Sequence, residues 1–207
     1  MVDKKKEQVS KEIILQAARE VFIEKGFDGA RMQEIANKAG INKALLHYYY
    51  SSKENLFEEV FKEAFEQFAP QFREEIKRFT SFRSFLKVFL DLYLKMLIDK
   101  PYLPLFVLSE IQRNPDRPAR FIREMGIDPE WILNMIQSEM DTNKIIKADP
   151  REIVMNILSL CIFPFAARPM IQRLLWKNNE AEYQKVLQNR ADSIYKFIEK
   201  SVFTENN

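Results

Sequence analysis

Between residues 43 and 53 the chain reads KALLHYYYSSK, which gathers side chains that can read a groove and hold a polyanion. The chemistry is non-covalent. A helix laid in the major groove of duplex DNA reads base edges from its N-terminal end. Lys43 there can reach guanine acceptors or a phosphate, while Ala44 and Leu45 allow close approach and can touch a thymine methyl. His47, Tyr48 and Tyr49 each offer a donor on a flat ring, suited to phosphate oxygens beside the groove. Lys53 would start the next helix, where an ammonium and a helix N-terminus together favour a phosphate. Upstream, Arg31 and Gln33 can touch the DNA backbone, and Arg31 also a base. Catalysis has little to work with. One histidine, one cysteine, no glycine-rich phosphate loop and no His/Glu metal spacing leave no expected active site, metal or cofactor.

Two short helices around a tight turn must position these groups. Met32, Ile35, Ala36 and Ala39 recur at i, i+3, i+4 and i+7, the apolar face of a first helix. Gly40 tolerates the left-handed backbone needed where one helix stops and another starts at once. Ile41 can plug the core, and Asn42 can cap a second helix from Lys43 to Tyr49. That helix turns Leu46 and Tyr50 inward and keeps Ala44, Leu45, His47 and Tyr48 outside. Ser51-Ser52-Lys53-Glu54 then contains a Ser-x-x-Glu capping box that starts a further helix. The unit is a helix-turn-helix.

With Ser10 to Phe27 before it, this stretch resembles the N-terminal domain of TetR-type (AcrR-like) bacterial transcriptional regulators. The resemblance rests on Ile13-Ile14-Leu15-Gln16-Ala17-Ala18, Phe22, Lys25-Gly26-Phe27, Ile35-Ala36, Ala39-Gly40-Ile41, Leu46 and Ser52-Lys53-Glu54-Asn55-Leu56. It covers roughly the first quarter of the chain, and several spaced elements in order make it specific. The family usually has Ser or Thr where Arg31 stands, so the second helix lacks its side-chain cap here. It often has Tyr-Tyr-His-Phe where this chain has His47-Tyr48-Tyr49-Tyr50, and Lys in place of Ser51. The resemblance implies an all-helical protein, with a DNA-binding domain over 1–52 and a ligand-binding and dimerisation domain over 53–207. It also implies a homodimeric regulator, a repressor, on a pseudo-palindromic double-stranded operator, released by a small effector. The rival reading is a helical ligand-binding or adaptor protein that has lost sequence-specific DNA binding.

In bulk, 207 residues with 46% hydrophobic content and only 4 glycines suit a compact helical protein. A formal charge of +2 advertises no polyanion partner globally, and residues 1–53 carry only a mild excess of cations. Cys161 is the sole cysteine, which excludes an intrachain disulfide or thiolate cluster and suits a small core residue. The stretch MVDKKKEQ has no apolar region behind it, unlike a secretory signal. The run Ile153 to Ala167 is interrupted by Asn156 and short for a bilayer, so a buried helix is expected. A soluble, cytoplasmic protein with no membrane contact follows.

Along the chain, Ser10 is expected to cap a helix ending at Gly26, with Ile13, Ala17 and Val21 on one stripe and Ile14, Ala18 and Phe22 beside it. A long helix should run from Lys53 towards Arg78 on Leu56, Val60, Ala64, Phe68 and Phe72, bent at Pro70. Ser81 starts a helix to Asp99, and Pro101 opens one to about Arg113. Asn114-Pro115-Asp116-Arg117-Pro118 reads as a loop, followed by a short helix to Met125. Asp128-Pro129 and the capping box Asp149-Pro150-Arg151-Glu152 start two more. The last two long helices, Asp149 to Trp176 and Glu180 to Val202, should pair with the same elements of a second subunit. A helix apolar nearly all round needs burial on more than one side. Phe89, Tyr93, Met96, Phe106, Trp131, Met135 and Phe163 could line an effector pocket, with Glu110 and Asn134 orienting the ligand. Pro104, Pro164 and Pro169 could open such a space by kinking helices.

Overall fold

The computed structural model describes residues 2–65, 70, 72, 74, 78–124 and 126–204, with side chains from residue 11 onward. Among the described residues there are twelve helices and no strand. In chain order they are α1 Val2–Gly29, α2 Met32–Lys38, α3 Lys43–Tyr49, α4 Lys53–Phe65, α5 Phe82–Asp99 and α6 Leu103–Arg113. Then come α7 Asp116–Glu124, α8 Pro129–Asp141, α9 Pro150–Ala166, α10 Arg168–Trp176, α11 Glu180–Gln188 and α12 Arg190–Val202. They form two compact units, Met1–Gln67 with Phe106–Pro118, and Phe68–Leu105 with Ala119–Asn207. The all-α expectation holds. The first unit therefore takes in α4 and a segment from far along the chain, beyond the expected boundary after residue 52.

In the first unit α1 packs on α4 and α2, and α2 on α3. Ile14, Ala17, Ala18, Val21 and Phe22 of α1 are buried with Leu56, Phe57, Val60, Phe61 and Ala64 of α4. Each large side chain so buried stabilises the unit by about 1.5–3 kcal/mol. Ile13 was expected on that stripe but is 46% exposed, because the buried arc of α1 centres on Ile14 and Ala18. Ser10 lies inside α1, which begins at Val2, and so does not mark its start. Gly26 does end the regular helix, at φ +67°, a conformation that costs a Cβ-bearing residue. Phe22, Phe27, Phe57, Phe61 and Phe106 form one aromatic cluster, with Phe27 edge-on to Phe57 at 5.2 Å and Phe57 against Phe106 at 5.0 Å.

The second unit is built round α5, which contacts α8, α9 and α12. Side-chain caps fix the helix starts: Ser81 accepts from the Ser84 amide, Asp128 from Glu130, Asp149 from Arg151 and Asn179 from Glu182. Glu139, only 9% exposed, accepts from the Phe82 amide at 2.6 Å and places its charge at the N-terminus of α5. Four expectations need correction here. The Asn114–Pro118 loop shrinks to two residues because Asp116 and Pro118 already lie in the first turn of α7, where an acid suits the helix dipole and proline needs no amide partner. The capping box at Asp149 is closed by the Arg151 side chain, at 2.9 and 2.5 Å. The expected Asp149–Trp176 helix breaks at Ala167 into α9 and α10, bent by 79°. The expected Glu180–Val202 helix breaks at Asn189. At the first break the Tyr183 hydroxyl donates to the Pro164 carbonyl at 2.5 Å. The continuation of α4 to Arg78, with Phe68 and the bend at Pro70, falls largely outside the described residues, as does Met125; within them Pro70, Phe72 and Glu74 are helical. No single described helix is long and apolar enough to cross a membrane.

Candidate nucleic-acid interface

The turn between α2 and α3 is made as the residues dictate. Gly40 sits at φ +68° with nothing within 4 Å of where a Cβ would stand. Asn42 caps α3, its Oδ1 accepting from the Leu45 amide at 2.7 Å. Ile35, Ala36 and Leu46 are fully buried, and Tyr50 is 8% exposed. Burial, with Glu59 and Glu63 nearby, pushes the Tyr50 phenol up to about 12, so it stays neutral. With α3 pinned on that side, its other face is presented outward. Lys43, Ala44, Leu45, His47 and Tyr48 are exposed, Tyr48 by 80%. Tyr49 is half-buried, edge-on to Tyr48 at 5.4 Å and beneath the Lys11 ammonium at 5.9 Å.

Arg31 occupies the N-cap position of α2 in an extended conformation and makes no side-chain cap bond. It is exposed, as is Gln33, whose amide donates to Asn37 at 2.9 Å. The next helix start differs from expectation. Asn55 donates its amide to Ser52 Oγ at 3.1 Å and its side-chain nitrogen to Ser51 Oγ at 2.7 Å, so the cap is Ser52 with Asn55 rather than Ser51 with Glu54.

Lys53 is more tightly held than a solvated phosphate ligand. Its ammonium donates to the carbonyls of Phe27 at 2.8 Å and Ala30 at 3.1 Å, and lies 4.4 Å from the Phe27 ring centre. That leaves one of its three N–H groups for a phosphate. The tether also ties the start of α4 to the turn that precedes α2. Nothing in the local pattern around Lys53 signals it.

The proposed pocket residues separate. Phe106 and Glu110 belong to the first unit, where both carboxylate oxygens of Glu110 are taken by Arg113 and Arg117 at 2.7–3.0 Å. Glu110 is therefore not available to orient an effector in the second unit. Phe89, Tyr93 and Trp131 do come together there. Phe85, Phe89 and Tyr93 stack along α5 at 5.7 and 5.2 Å, with Trp131 edge-on to Phe85 at 5.7 Å. Burial raises the Tyr93 phenol, keeping it neutral. Met96 is buried, Met135 half-buried, Asn134 exposed, and Phe163 is 55% exposed. A described cleft of ≈ 200 Å³ is lined by Asp91, Leu94, Lys95, Ile98, Leu187, Gln188 and Ala191, and includes none of these candidates.

Residues 14–60 match the profile of the bacterial regulatory proteins of the tetR family. This segment is a TetR-family domain. Over 44 residues the chain is 46% identical to the HTH-type transcriptional activator FasR of Mycolicibacterium smegmatis, covering 21% of this chain and 20% of that protein. Over 47 residues it is 47% identical to the HTH-type transcriptional regulator RutR of Escherichia coli, covering 23% and 22% respectively. The match thus spans about a fifth of these relatives and is confined to the TetR-family domain. In structure the chain is similar to the ketosteroid transcriptional regulator KstR2 of Mycobacterium tuberculosis, with a TM-score of 0.70 and 15% identity over 94% of this chain and 95% of that one. At that identity the likeness speaks for the fold beyond the TetR-family domain, and for nothing finer.

Proposed function

We propose that the protein is a transcriptional repressor that binds a pseudo-palindromic DNA operator as a homodimer and leaves it when a small apolar or amphipathic molecule binds the second unit. The observation that carries the reading is the outer face of α3. Lys43, Ala44, Leu45, His47 and Tyr48 stand exposed together on a helix whose opposite side is pinned by the fully buried Leu46. Lys43 and Ala44 lie at its N-terminal end, the end that enters a major groove.

Supporting the dimer, large apolar side chains stay exposed on the late helices: Met155 and Phe163 on α9, Leu174 and Leu175 on α10, Phe197 on α12. A two-fold contact through α9 to α12 covers them isologously and sets two recognition helices about one DNA turn, roughly 34 Å, apart. Supporting the effector, the Phe89, Tyr93 and Trp131 surface offers apolar rings with a neutral phenol. The site of action is the cytoplasm, where the operator is. The test is selection from a random duplex pool. Enrichment of an inverted repeat, with affinity falling steeply as salt rises, is the expected result. A pool that enriches nothing would leave a helical adaptor or ligand-binding protein instead.

A further inference from the structure

The segment Phe106–Pro118 lies in the first unit although it follows Phe68–Leu105 of the second, and no part of it falls within the matched residues 14–60. Its charges gather round one buried carboxylate. Glu110, 1% exposed, accepts from Arg113 Nε at 2.9 Å and Nη2 at 3.0 Å and from Arg117 Nη1 at 2.7 Å. Arg117 Nε lies 3.7 Å from Glu58 of α4. The two guanidinium groups then lie against rings, with Arg113 Cζ 3.8 Å from the centre of Phe27 and Arg117 Cζ 5.2 Å from that of Phe57.

Phe27 is the pivotal contact. It follows Gly26, where α1 kinks, and the stretch from 27 to 29 beyond that kink leads into α2, with the Ala30 amide donating to the Gly26 carbonyl at 3.3 Å. Its carbonyl and that of Ala30 hold Lys53, and Arg31, next in the chain, opens α2. Arg113 therefore presses on the residue through which the entrance to the helix-turn-helix and the start of α4 are joined. An ion pair on the surface would matter little. Here Glu110 is out of water, so deleting a partner leaves a poorly compensated charge. The geometry also calls for arginine, because a flat fork both grips a carboxylate and stacks on a ring, which an ammonium cannot do.

We infer that Glu110 and Arg113 are positioning residues for DNA binding, the segment 106–118 acting as a clamp that sets the Phe27–Ala30 turn and hence the pose of α2 and α3. The inference rests on the DNA-binding reading above. The clamp stands on α6, one continuous helix that begins at Leu103 and ends at Arg113.

The experiment uses the full chain and the duplex selected by the wild type. Arg113→Ala should weaken that duplex about tenfold, in the range for residues acting through direct contact. The salt slope should stay at the wild-type value, since Arg113 is placed on a ring and not on a phosphate. Amide hydrogen exchange should quicken over residues 27–31 and stay unchanged in α5 and α12. Phe27→Leu combined with Arg113→Ala should lose no more affinity than the worse single variant. If Arg113→Ala does not fold, Arg113→Lys decides, because it keeps the charge and loses the fork; a loss of about threefold or more is expected. Folded Arg113 variants that bind as the wild type does, or losses that add to that of Phe27→Leu, overturn the clamp alone. A wild type that selects no sequence overturns the DNA reading, and the clamp with it.

Discussion

Replacing Lys53 by Met tests two roles of one ammonium at once. The substitution keeps the apolar stem and deletes the donors to the Phe27 and Ala30 carbonyls. Hydrogen bonds from charged groups are worth about 1.5–3 kcal/mol each when well shielded. Lys53 is only part-buried, so a combined loss of about 2 kcal/mol is expected, or about 4–8 °C in thermal midpoint for a chain of this size. The remaining N–H can reach a phosphate, and losing one such contact should lower the salt slope of duplex binding by about 0.9. Between 50 and 200 mM salt, the variant would then lose about 3.5-fold less affinity than the wild type does. Urea denaturation reads the first effect, and fluorescence anisotropy on a labelled duplex across that salt range reads the second. Unchanged stability would refute the tether as a structural element. An unchanged slope with weaker binding would refute the phosphate contact and leave Lys53 as a brace for the turn.

Ala44→Glu should abolish specific duplex binding with the thermal midpoint unchanged, since Ala44 is exposed and a carboxylate there faces the polyanion; retained specificity in competition assays would contradict the docking of α3. Phe197→Glu, at a side chain 61% exposed, should shift the protein from dimer to monomer in sedimentation at micromolar concentration while leaving its helical content intact. Tyr183→Phe leaves the buried Pro164 carbonyl without its donor and should cost about 1–3 kcal/mol in urea denaturation with the m-value unchanged. Asp149 is held down at about 2 by its hydrogen bonds with Arg151, below its ordinary 3.8. Its contribution to stability is thus complete above pH 4 and lost as pH falls towards 2. Asp149→Asn keeps a capping oxygen and should flatten the acid limb in that window, which acid titrations of both proteins would compare.

The interface helices were legible in the sequence because the signals that make them are local. Gly40 supplies a left-handed turn, Asn42 caps within three residues, and Leu46 marks the inward side of a two-turn helix. Ser81, Asp128 and Asp149 are read the same way, each bonding an amide two or three residues on. Such bonds need nothing from the rest of the chain, so residue type and spacing determine them. Helix breaks were harder to read: the apolar pattern passes through Ala167, and the carbonyl left open there finds its donor in Tyr183, nineteen positions on. The roles of Lys53, Glu110 and Arg113 were decided only by tertiary structure. A lysine at a helix start and a carboxylate among apolar residues look like a phosphate ligand and an effector anchor in one dimension. Folding brings the carbonyls of Phe27 and Ala30 to the first and two guanidinium groups to the second. Burial then fixes what each charge must bind, because a charged group removed from water takes whatever partner the packing puts beside it.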